Sequence, residues 1–263
     1  MFFLKLKDLH NHTEFSFDSE AKLDDLCKAA INRGLDAIAV TNHLDLDCIR
    51  KGMYDPYDGV SDSADIFRAA EKYNGDIRVI RGLEFGQPVS YSDEFEDIKK
   101  EYGIELVLGS IHNLKDCPDF YYFDFKLMEE RQIKYWFERY LDEILQMVSE
   151  VKIDILTHLG YPIRYMRRNG KNIDPMLFSD KYLQIFKKII EKGIALEVNV
   201  SDLKNGMDHE SMPSDRIIRL YRECGGRAVS VGSDSHIASY CGIGIAETYD
   251  KLKKIGFEQI NEF

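Results

Sequence analysis

The chain has 263 residues, of which 44% are hydrophobic and 31% charged, enough for a large core under a solvated surface. Its formal net charge of -11 argues against nucleic acid as the main partner, because phosphate backbones are bound by basic surfaces. The five cysteines are scattered without a C-x-x-C pair, which argues against a disulfide framework and a zinc–thiolate site. No run approaches the ~20 apolar residues of a membrane span, and the first apolar run is too short for a signal peptide. We therefore expect a cytoplasmic protein that binds neither membrane nor nucleic acid.

Short β-rich runs alternate with amphipathic segments along the chain. The predicted strands are Phe3–Leu9, Ala37–Thr41, Ile77–Leu83, Glu105–Ser110, Ile153–Thr157, Ala195–Val200 and Ala228–Gly232. The predicted helices are Ala21–Arg33, Ser61–Tyr73, Ser92–Tyr102, Phe125–Val151, Ser179–Lys192, Pro213–Cys224 and Ile243–Ile255. Seven strands that alternate with helices predict a parallel sheet, and at this length a closed or nearly closed barrel in one domain, residues 1–263. A doubly wound open sheet is the alternative, and it would bind its ligand at a single switch point.

Each predicted strand ends near a residue with an imidazole, carboxylate or amide side chain. In chain order these residues are His10 and His12, His43, Glu84, His112, His158, Asn199, and Asp234 with His236. The carboxyl ends of barrel strands meet at one mouth, so these groups are expected to face one pocket. A lone histidine in such a place is usually structural, but six at successive strand ends predict a metal centre. The chain is therefore interpreted as a metal-dependent hydrolase.

The candidate ligands lie in short motifs spread over the whole chain. These motifs are Asp8-Leu9-His10-Asn11-His12-Thr13, Phe15-Ser16-Phe17-Asp18-Ser19, Val40-Thr41-Asn42-His43, Gly82-Leu83-Glu84, Gly109-Ser110-Ile111-His112, Leu156-Thr157-His158-Leu159-Gly160, Glu197-Val198-Asn199 and Gly232-Ser233-Asp234-Ser235-His236. Together they resemble the polymerase and histidinol phosphatase (PHP) superfamily, in its histidinol-phosphate phosphatase branch. The resemblance implies an α/β fold, a distorted (β/α)7 TIM-like barrel, with three divalent metal ions (Zn, Mn or Fe) at its mouth.

The resemblance also implies a set of ligands for each metal ion. The implied sets are His10, His12, Glu84 and Asp234 for the first ion, Glu84, His112 and His158 for the second, and Asp18, His43 and His236 for the third. Glu84 would bridge the first two ions, because a carboxylate has two oxygens to share. Some relatives have histidine in place of Asp18, and the carboxylate makes the third site harder, which favours Mn or Fe somewhat.

The chemistry that such a centre implies is the hydrolysis of a phosphate monoester. Divalent cations lower the pKa of a bound water and neutralise phosphoryl oxygens. Asp234 is the candidate catalytic residue that accepts the nucleophile's proton. His209, in the loop after the sixth strand, is a second catalytic candidate that could bind substrate or protonate the leaving oxygen. A surface histidine in a polar loop is the more common case.

Phosphate recognition is expected to need a cation besides the metal ions. Arg164 is the candidate, because it follows the fifth strand by a short turn and its guanidinium fork suits phosphate oxygens. In the histidinol-phosphatase branch, an arginine after this histidine serves the phosphate. Arg167 and Arg168 are close in sequence and compete for the role. Phe17 and Asn113 are further candidates to line the pocket, with a role in fixing their own loops as the alternative.

Three functions compete for this chain. The first is hydrolysis of L-histidinol phosphate in histidine biosynthesis, favoured by chain length, by Glu197-Val198-Asn199-Val200-Ser201 and by the Arg164 segment. The second is hydrolysis of another small phosphate ester, such as a nucleotide or sugar phosphate, because metal motifs do not separate the two. The third is a non-catalytic or nucleic-acid-associated barrel, which the net charge disfavours. An amidohydrolase would usually show a metal-bridging lysine where Glu84 stands.

Overall fold

In a computed structural model of the protein, the described residues are 5–46, 63–205 and 210–262. The strands are β1 Lys7–Asp8, β2 Ala37–Val40, β3 His43–Asp45, β4 Arg78–Gly86, β5 Leu106–Ser110, β6 Ile155–Leu156, β7 Ala195–Asn199, β8 Ala228–Gly232 and β9 Gln259–Ile260. The α-helices are α1 Leu23–Asn32, α2 Ser63–Lys72, α3 Ser92–Glu101, α4 Glu130–Glu150, α5 Tyr161–Arg168, α6 Ser179–Lys192, α7 Asp215–Glu223 and α8 Ile245–Ile255. Short 3₁₀ helices occupy Pro88–Ser90, Phe120–Tyr122, Phe125–Leu127, Pro175–Phe178, Ser201–Asn205 and Ala238–Tyr240.

All the strand pairs are parallel, and the strands follow one another in the order β1-β2-β4-β5-β6-β7-β8-β9, with β3 paired to β4. The sheet curls until its two ends meet. The Leu9 amide donates to the Val231 carbonyl at 3.2 Å, and Asn11 forms a parallel bridge with Ser235. The fold is therefore a distorted TIM-like α/β barrel, as the sequence predicted.

The barrel has an apolar interior and an apolar outer layer. Small and branched side chains from successive strands form the interior cluster, which comprises Leu9, Ala39, Leu106, Leu108, Ile155 and Ala195. Neighbouring residues of the same strands, such as Ile38 and Val40, instead pack outward against the helices. The longest helix, α4, buries Phe137, Tyr140 and Ile144 in that outer layer. No helix in the described ranges is long and apolar enough to cross a membrane.

Several elements differ from the sequence prediction. β3 and β9 are additional strands of three and two residues, too short to show a period in the sequence. β4 extends to Gly86, three residues beyond its predicted end, because it pairs with β2 first and β3 afterwards.

Two helix predictions also need correction. The predicted helix Phe125–Val151 begins only at Glu130, where Glu129 and Gln132 form a capping box and the Glu129 amide donates to Gln132 Oε1 at 2.8 Å. Helix α5 was not predicted, because its Gly160–Pro162 start suggested a turn. Proline at the first turn of a helix costs no backbone hydrogen bond.

Candidate metal centre and active-site cleft

A cleft of about 970 Å³ opens at the carboxyl ends of the strands. Its floor is a cluster of imidazoles and carboxylates, and Arg164, Tyr161 and Asp119 lie in its walls. The structure brings all nine predicted metal ligands into this one cluster, which comprises His10, His12, Asp18, His43, Glu84, His112, His158, Asp234 and His236. Their roles as ligands stay predictions, whereas their convergence is a feature of the fold.

Glu84, on β4, is the carboxylate at the centre of the cluster and is 1% exposed. Its Oε1 lies 2.9 Å from His158 Nε2 and 3.1 Å from His112 Nε2. Its Oε2 lies 3.1 Å from both His10 Nε2 and His43 Nδ1. Its Oε2 also lies 3.3 Å from His12 Nε2, so one oxygen faces two imidazoles and the other faces three different ones. This is the arrangement expected of a carboxylate that bridges two cations.

Asp234 faces the cluster from the segment after β8. Its Oδ1 lies 3.3 Å from His12 Nε2 and 3.6 Å from His10 Nε2. Its Oδ2 accepts a hydrogen bond from Asn199 Nδ2 at 3.2 Å, which fixes the plane of the carboxylate. The backbone of Asp234 has a φ of 50°, a strained conformation for a residue with a side chain. Such strain at a converging carboxylate is typical of functional sites.

Asp18 lies on the outer side of the cluster, in the loop after β1. Its Oδ2 is 3.1 Å from His236 Nε2 and 3.6 Å from His43 Nε2. The Phe17 ring packs against the His43 ring, with the two centroids 5.2 Å apart. This loop therefore brings one carboxylate and one aromatic ring to the mouth of the barrel.

The outward nitrogens of two histidines have partners that fix their tautomers. His10 Nδ1 lies 2.7 Å from Glu197 Oε1 and donates its proton there, so the neutral ring presents the lone pair of Nε2 to the cluster. His12 Nδ1 lies 3.0 Å from Ser16 Oγ, which itself donates to Asn42 Oδ1. The His12 Nε2 lone pair therefore also points into the cluster.

These contacts test whether the cluster fits metal ions. The Nε2 atoms of His10 and His12 are 3.1 Å apart and face the oxygens of Glu84 and Asp234, so acceptors face acceptors. His43 Nδ1 is buried beside a Glu84 oxygen and makes no hydrogen bond. Sets of three donor atoms within 4.8 Å of one another include Glu84-His112-His158 and His10-His12-Asp234. Divalent cations would satisfy these converging lone pairs, and the donor set fits several of them.

The charges of the cluster depend strongly on one another. Burial lowers the pKa of His43, but the Glu84 and Asp18 carboxylates raise it to about 9. Burial also lowers the pKa of His10, which Glu197 and Glu84 nevertheless raise well above its usual value. Burial raises the pKa of Glu84, yet the surrounding imidazoles hold it well below the usual range. Bound cations would replace the imidazole protons in balancing these carboxylates.

Two carboxylates that the sequence analysis did not assign to the site support the histidines. Glu197 Oε1 accepts from His10, and its Oε2 accepts the His158 backbone amide at 2.6 Å. Asp45 Oδ1 lies 3.4 Å from His112 Nδ1, and its Oδ2 lies 3.7 Å from His43 Nδ1. Glu197 was noted only as part of a motif. Only the two-residue spacing after His43 could have pointed to Asp45.

Arg164 lies in the wall of the cleft, on helix α5 rather than on a loop. Its side chain is 11% exposed, and its Nε lies 2.9 Å from Asp202 Oδ1. Its Nη2 donates to the Ser201 hydroxyl. Arg168 is more exposed and lies 3.6 Å from the same Asp202 carboxylate. Arg164 is therefore the more rigidly held of the two, and its five N–H donors outnumber the contacts that Asp202 and Ser201 make with them.

The remaining candidates differ in their surroundings. Phe17 is 59% exposed and lines the cleft. Asn113 also lines it, but its side chain accepts from Gln87 and donates to the Leu114 carbonyl, which supports the loop-fixing alternative. His209 lies outside the described residues.

Comparison with known proteins gives the chain its family. A probable histidinol-phosphatase of Clostridium acetobutylicum is 29% identical over 259 residues, which cover 96% of each chain. One of Thermotoga maritima is 28% identical, covering 96% of this chain and 94% of the relative. The crystal structure of a histidinol phosphate phosphatase from Lactococcus lactis, complexed with Zn, L-histidinol and phosphate, superposes with a TM-score of 0.80. The two chains are 22% identical, and the superposition covers 97% of this chain and 95% of the Lactococcus chain, so the two proteins share a fold. The PHP domain matches residues 8–201, which confirms the resemblance seen in the motifs: the chain belongs to the PHP domain family.

Proposed function

We propose that the protein is a metal-dependent phosphomonoesterase that hydrolyses L-histidinol phosphate to L-histidinol and phosphate, a step of histidine biosynthesis. The observation that carries the proposal is the cluster of nine converging donors, seven of which line the same cleft as the Arg164 side chain. The relatives named as probable histidinol-phosphatases, similar over nearly their whole length, support this substrate.

The cluster would hold three divalent ions, Zn, Mn or Fe, on the ligand sets that the family resemblance implies. Glu84 would be shared between two of the ions, because its two oxygens face different sets of imidazoles. Asp18 would serve the third ion with His43 and His236, to which it is already adjacent. When bound, such ions supply Lewis acidity toward phosphoryl oxygens and lower the pKa of water in the site.

The side chains around the cluster position the phosphate and move the proton. Arg164 binds the outer phosphate oxygens with its guanidinium, which Asp202 and Ser201 hold in place. Asp234 accepts the proton of the attacking water, because its Oδ1 faces the cluster while Asn199 holds its Oδ2. Phe17 lines the substrate's path at the cleft mouth, and Asn113 lines the cleft while its side chain fixes its own loop.

A substrate panel tests the proposal. Metal-replete protein is assayed for phosphate release from L-histidinol phosphate, a nucleoside monophosphate, a sugar phosphate and a phosphodiester. We expect L-histidinol phosphate to have the highest kcat/KM and the diester to be inert. Rapid turnover of another monoester with none of L-histidinol phosphate would replace the substrate, and no turnover of any monoester would overturn the function. A cytoplasmic location stays a prediction.

A further inference from the structure

A carboxylate that none of the three ligand sets includes lies between two of them. It belongs to Asp45, the last residue of β3, which is 3% exposed. His43 begins the same strand, so the two side chains, two residues apart, emerge on the same face. Both side chains line the cleft. Asp45 therefore stands next to a candidate metal ligand at the floor of the cleft.

The two oxygens of Asp45 face imidazoles from different ligand sets. Oδ1 lies 3.4 Å from Nδ1 of His112, which belongs to the second set. Oδ2 lies 3.7 Å from Nδ1 of His43, which belongs to the third set. The planes of the two rings make an angle of 81°, and their centroids are 5.4 Å apart. One carboxylate is thus placed behind a ligand of each of two ions.

Asp45 faces the nitrogen of each ring that points away from the ring's ligand set. His112 Nε2 is 3.1 Å from Glu84 Oε1, and His43 Nε2 is 3.6 Å from Asp18 Oδ2. An acceptor at Nδ1 keeps the proton there and leaves the Nε2 lone pair for a cation. Glu84 Oε2 also lies 3.1 Å from His43 Nδ1, but the implied sets engage Glu84 with the ions. This leaves Asp45 as the acceptor for both rings.

The end of β4 is shaped to hold this carboxylate. A Cβ on Gly86, the register partner of Asp45, would lie 1.5 Å from Asp45 Oδ1, so only glycine leaves room for it. The next residue, Gln87, has a strained φ of 50° and is 7% exposed. Its Nε2 donates to Asp45 Oδ1 at 3.3 Å, and its Oε1 accepts the His112 amide at 3.3 Å. Gln87 thereby ties Asp45 to the strand end that carries His112.

This geometry links the binding of two ions. An ion at His112 would fix its ring, and through Nδ1 the Asp45 carboxylate, before an ion binds at His43. The conformational entropy lost in fixing the carboxylate is then lost once for two ions, which makes the second binding event more favourable. The negative charge of Asp45 also lies beside both sites and offsets part of the repulsion between the cations.

We propose that Asp45 positions one ligand of each of two ions and thereby couples them, so that the second and third ions bind as a cooperative pair. Asp45 is a positioning residue, since it acts through His43 and His112. The first ion depends on a different carboxylate, that of Glu197 behind His10. The inference rests on the metal centre of the proposed phosphomonoesterase and deepens it, because it states how the centre fills.

Manganese titration of the chelator-treated protein tests the coupling. The EPR signal of free Mn²⁺ gives the stepwise dissociation constants, and calorimetry gives the stoichiometry. In the wild type we expect two of the three equivalents to bind with a Hill coefficient above one. Asp18→Asn removes a ligand of the third set, and it should weaken both members of the pair because they are coupled.

Asp45→Asn should weaken the two paired ions by roughly 10- to 100-fold, the usual cost of losing a carboxylate behind ligating histidines. Asparagine keeps the shape but has one acceptor oxygen, so its amide opposes one imidazole N–H. The pair should separate into two independent steps, and the first ion should change by less than about 3-fold. When Asp18→Asn is added to Asp45→Asn, it should weaken one ion only.

Three further variants complete the comparison. Asp76→Asn changes an exposed aspartate in the turn before β4 and should leave all three steps as in the wild type. Glu197→Gln should weaken the ion held by His10, which Asp45→Asn spares. Gln87→Leu removes the donor to Asp45 Oδ1 but keeps the carboxylate, so it should weaken the same two ions by less. If Asp45→Asn does not fold, Gln87→Leu decides by the same criteria.

The outcomes separate this inference from the proposed function. Equal weakening of all three ions in Asp45→Asn, weakening of one ion only, or wild-type binding would overturn the coupling. Independent binding of every ion in the wild type would overturn it too. Each of these results leaves the phosphatase intact if the loaded wild type hydrolyses a phosphate monoester. A loaded wild type that is inactive on every monoester would instead overturn the function.

Discussion

Among single residues, Glu84 has the most demanding environment, because it is buried among five imidazoles, those of His10, His12, His43, His112 and His158. Such a group is expensive to bury unless cations balance it. The roles of two neighbouring residues can be tested separately from this balance: Arg164, which we propose binds the phosphate, and Glu197, which contacts His10 and the His158 backbone amide.

Arg164→Ala should leave the metal content unchanged and reduce kcat/KM for the phosphate ester. The lost bidentate contact is worth on the order of 2–4 kcal/mol of transition-state stabilisation, or roughly 30- to 1,000-fold. Arg164→Lys should recover little, because an ammonium group lacks the planar fork. Steady-state kinetics with metal analysis measures both effects.

Arg168→Ala is the matched control for Arg164, since Arg168 is on the same helix and near the same Asp202 carboxylate but more exposed. It should cost much less activity. Equal and small losses in the two alanine variants would show that phosphate recognition lies elsewhere.

Glu197→Gln should weaken metal binding by roughly 10- to 100-fold, the usual cost of losing a carboxylate behind a ligating histidine. Both Glu197 oxygens accept hydrogen bonds, from His10 and from the His158 amide, and a glutamine amide nitrogen would oppose one of these donors. Chelator competition measures the affinity. The control is Glu258→Gln, which changes an exposed glutamate and should bind metal with the wild-type affinity. If Glu197→Gln also binds metal with the wild-type affinity, Glu197 does not position the metal-binding histidines.

At the scale of elements, the close approach of β8 to the first strand allows the cluster to form. A Cβ on Gly232 would lie 2.4 Å from His10 Cβ and 2.7 Å from Glu197 Oε1. Only glycine therefore lets β8 pass the His10–Glu197 pair without displacing it. The geometry of this strand end is therefore set by a residue with no side chain.

Gly232→Ala should lower both Tm and metal content, because the new methyl group displaces His10 or Glu197. Gly109→Ala is the control, since its Cβ would meet Ile153 and Met147 side chains in the core, away from the cluster. That variant should lower Tm but retain its metal. Calorimetry together with metal analysis distinguishes the two, and full metal occupancy in Gly232→Ala would contradict the argument.

The elements also show how far sequence reasoning reaches. The seven predicted strands were found because each lies in a longer buried run of the sequence, although β1 and β6 occupy only two residues of their runs. The histidines were found because each follows such a run. β3 was missed because three residues show no periodicity, and with it the position of Asp45. Helix α5 was missed because its Gly-Tyr-Pro start resembles a turn, so Arg164 was expected on a loop. Asp45 contacts His112 and Glu197 contacts His10, in each case from a segment that is distant in the sequence. A local sequence pattern does not predict such contacts.

At the scale of the whole molecule, folding gathers buried carboxylates and imidazoles that bound cations would hold together, so metal binding should stabilise the fold. Chelation should lower Tm by about 5 °C or more. A free metal concentration 100-fold above Kd stabilises the folded state by about 2.7 kcal/mol per site. Each kcal/mol shifts Tm by about 2–4 °C for a chain of this size. Scanning calorimetry before and after chelation, and after Mn or Zn is restored, measures the shift. In Glu84→Gln the chelator should have a much smaller effect, and an unshifted wild-type Tm would contradict the coupling.

The central claim is that one cluster of nine side chains binds three divalent ions for phosphate monoester hydrolysis. The most direct test is elemental analysis of gently purified, catalytically active protein. The account predicts close to three equivalents of Zn, Mn or Fe per chain. Full phosphatase activity in protein that contains less than about one equivalent would contradict it.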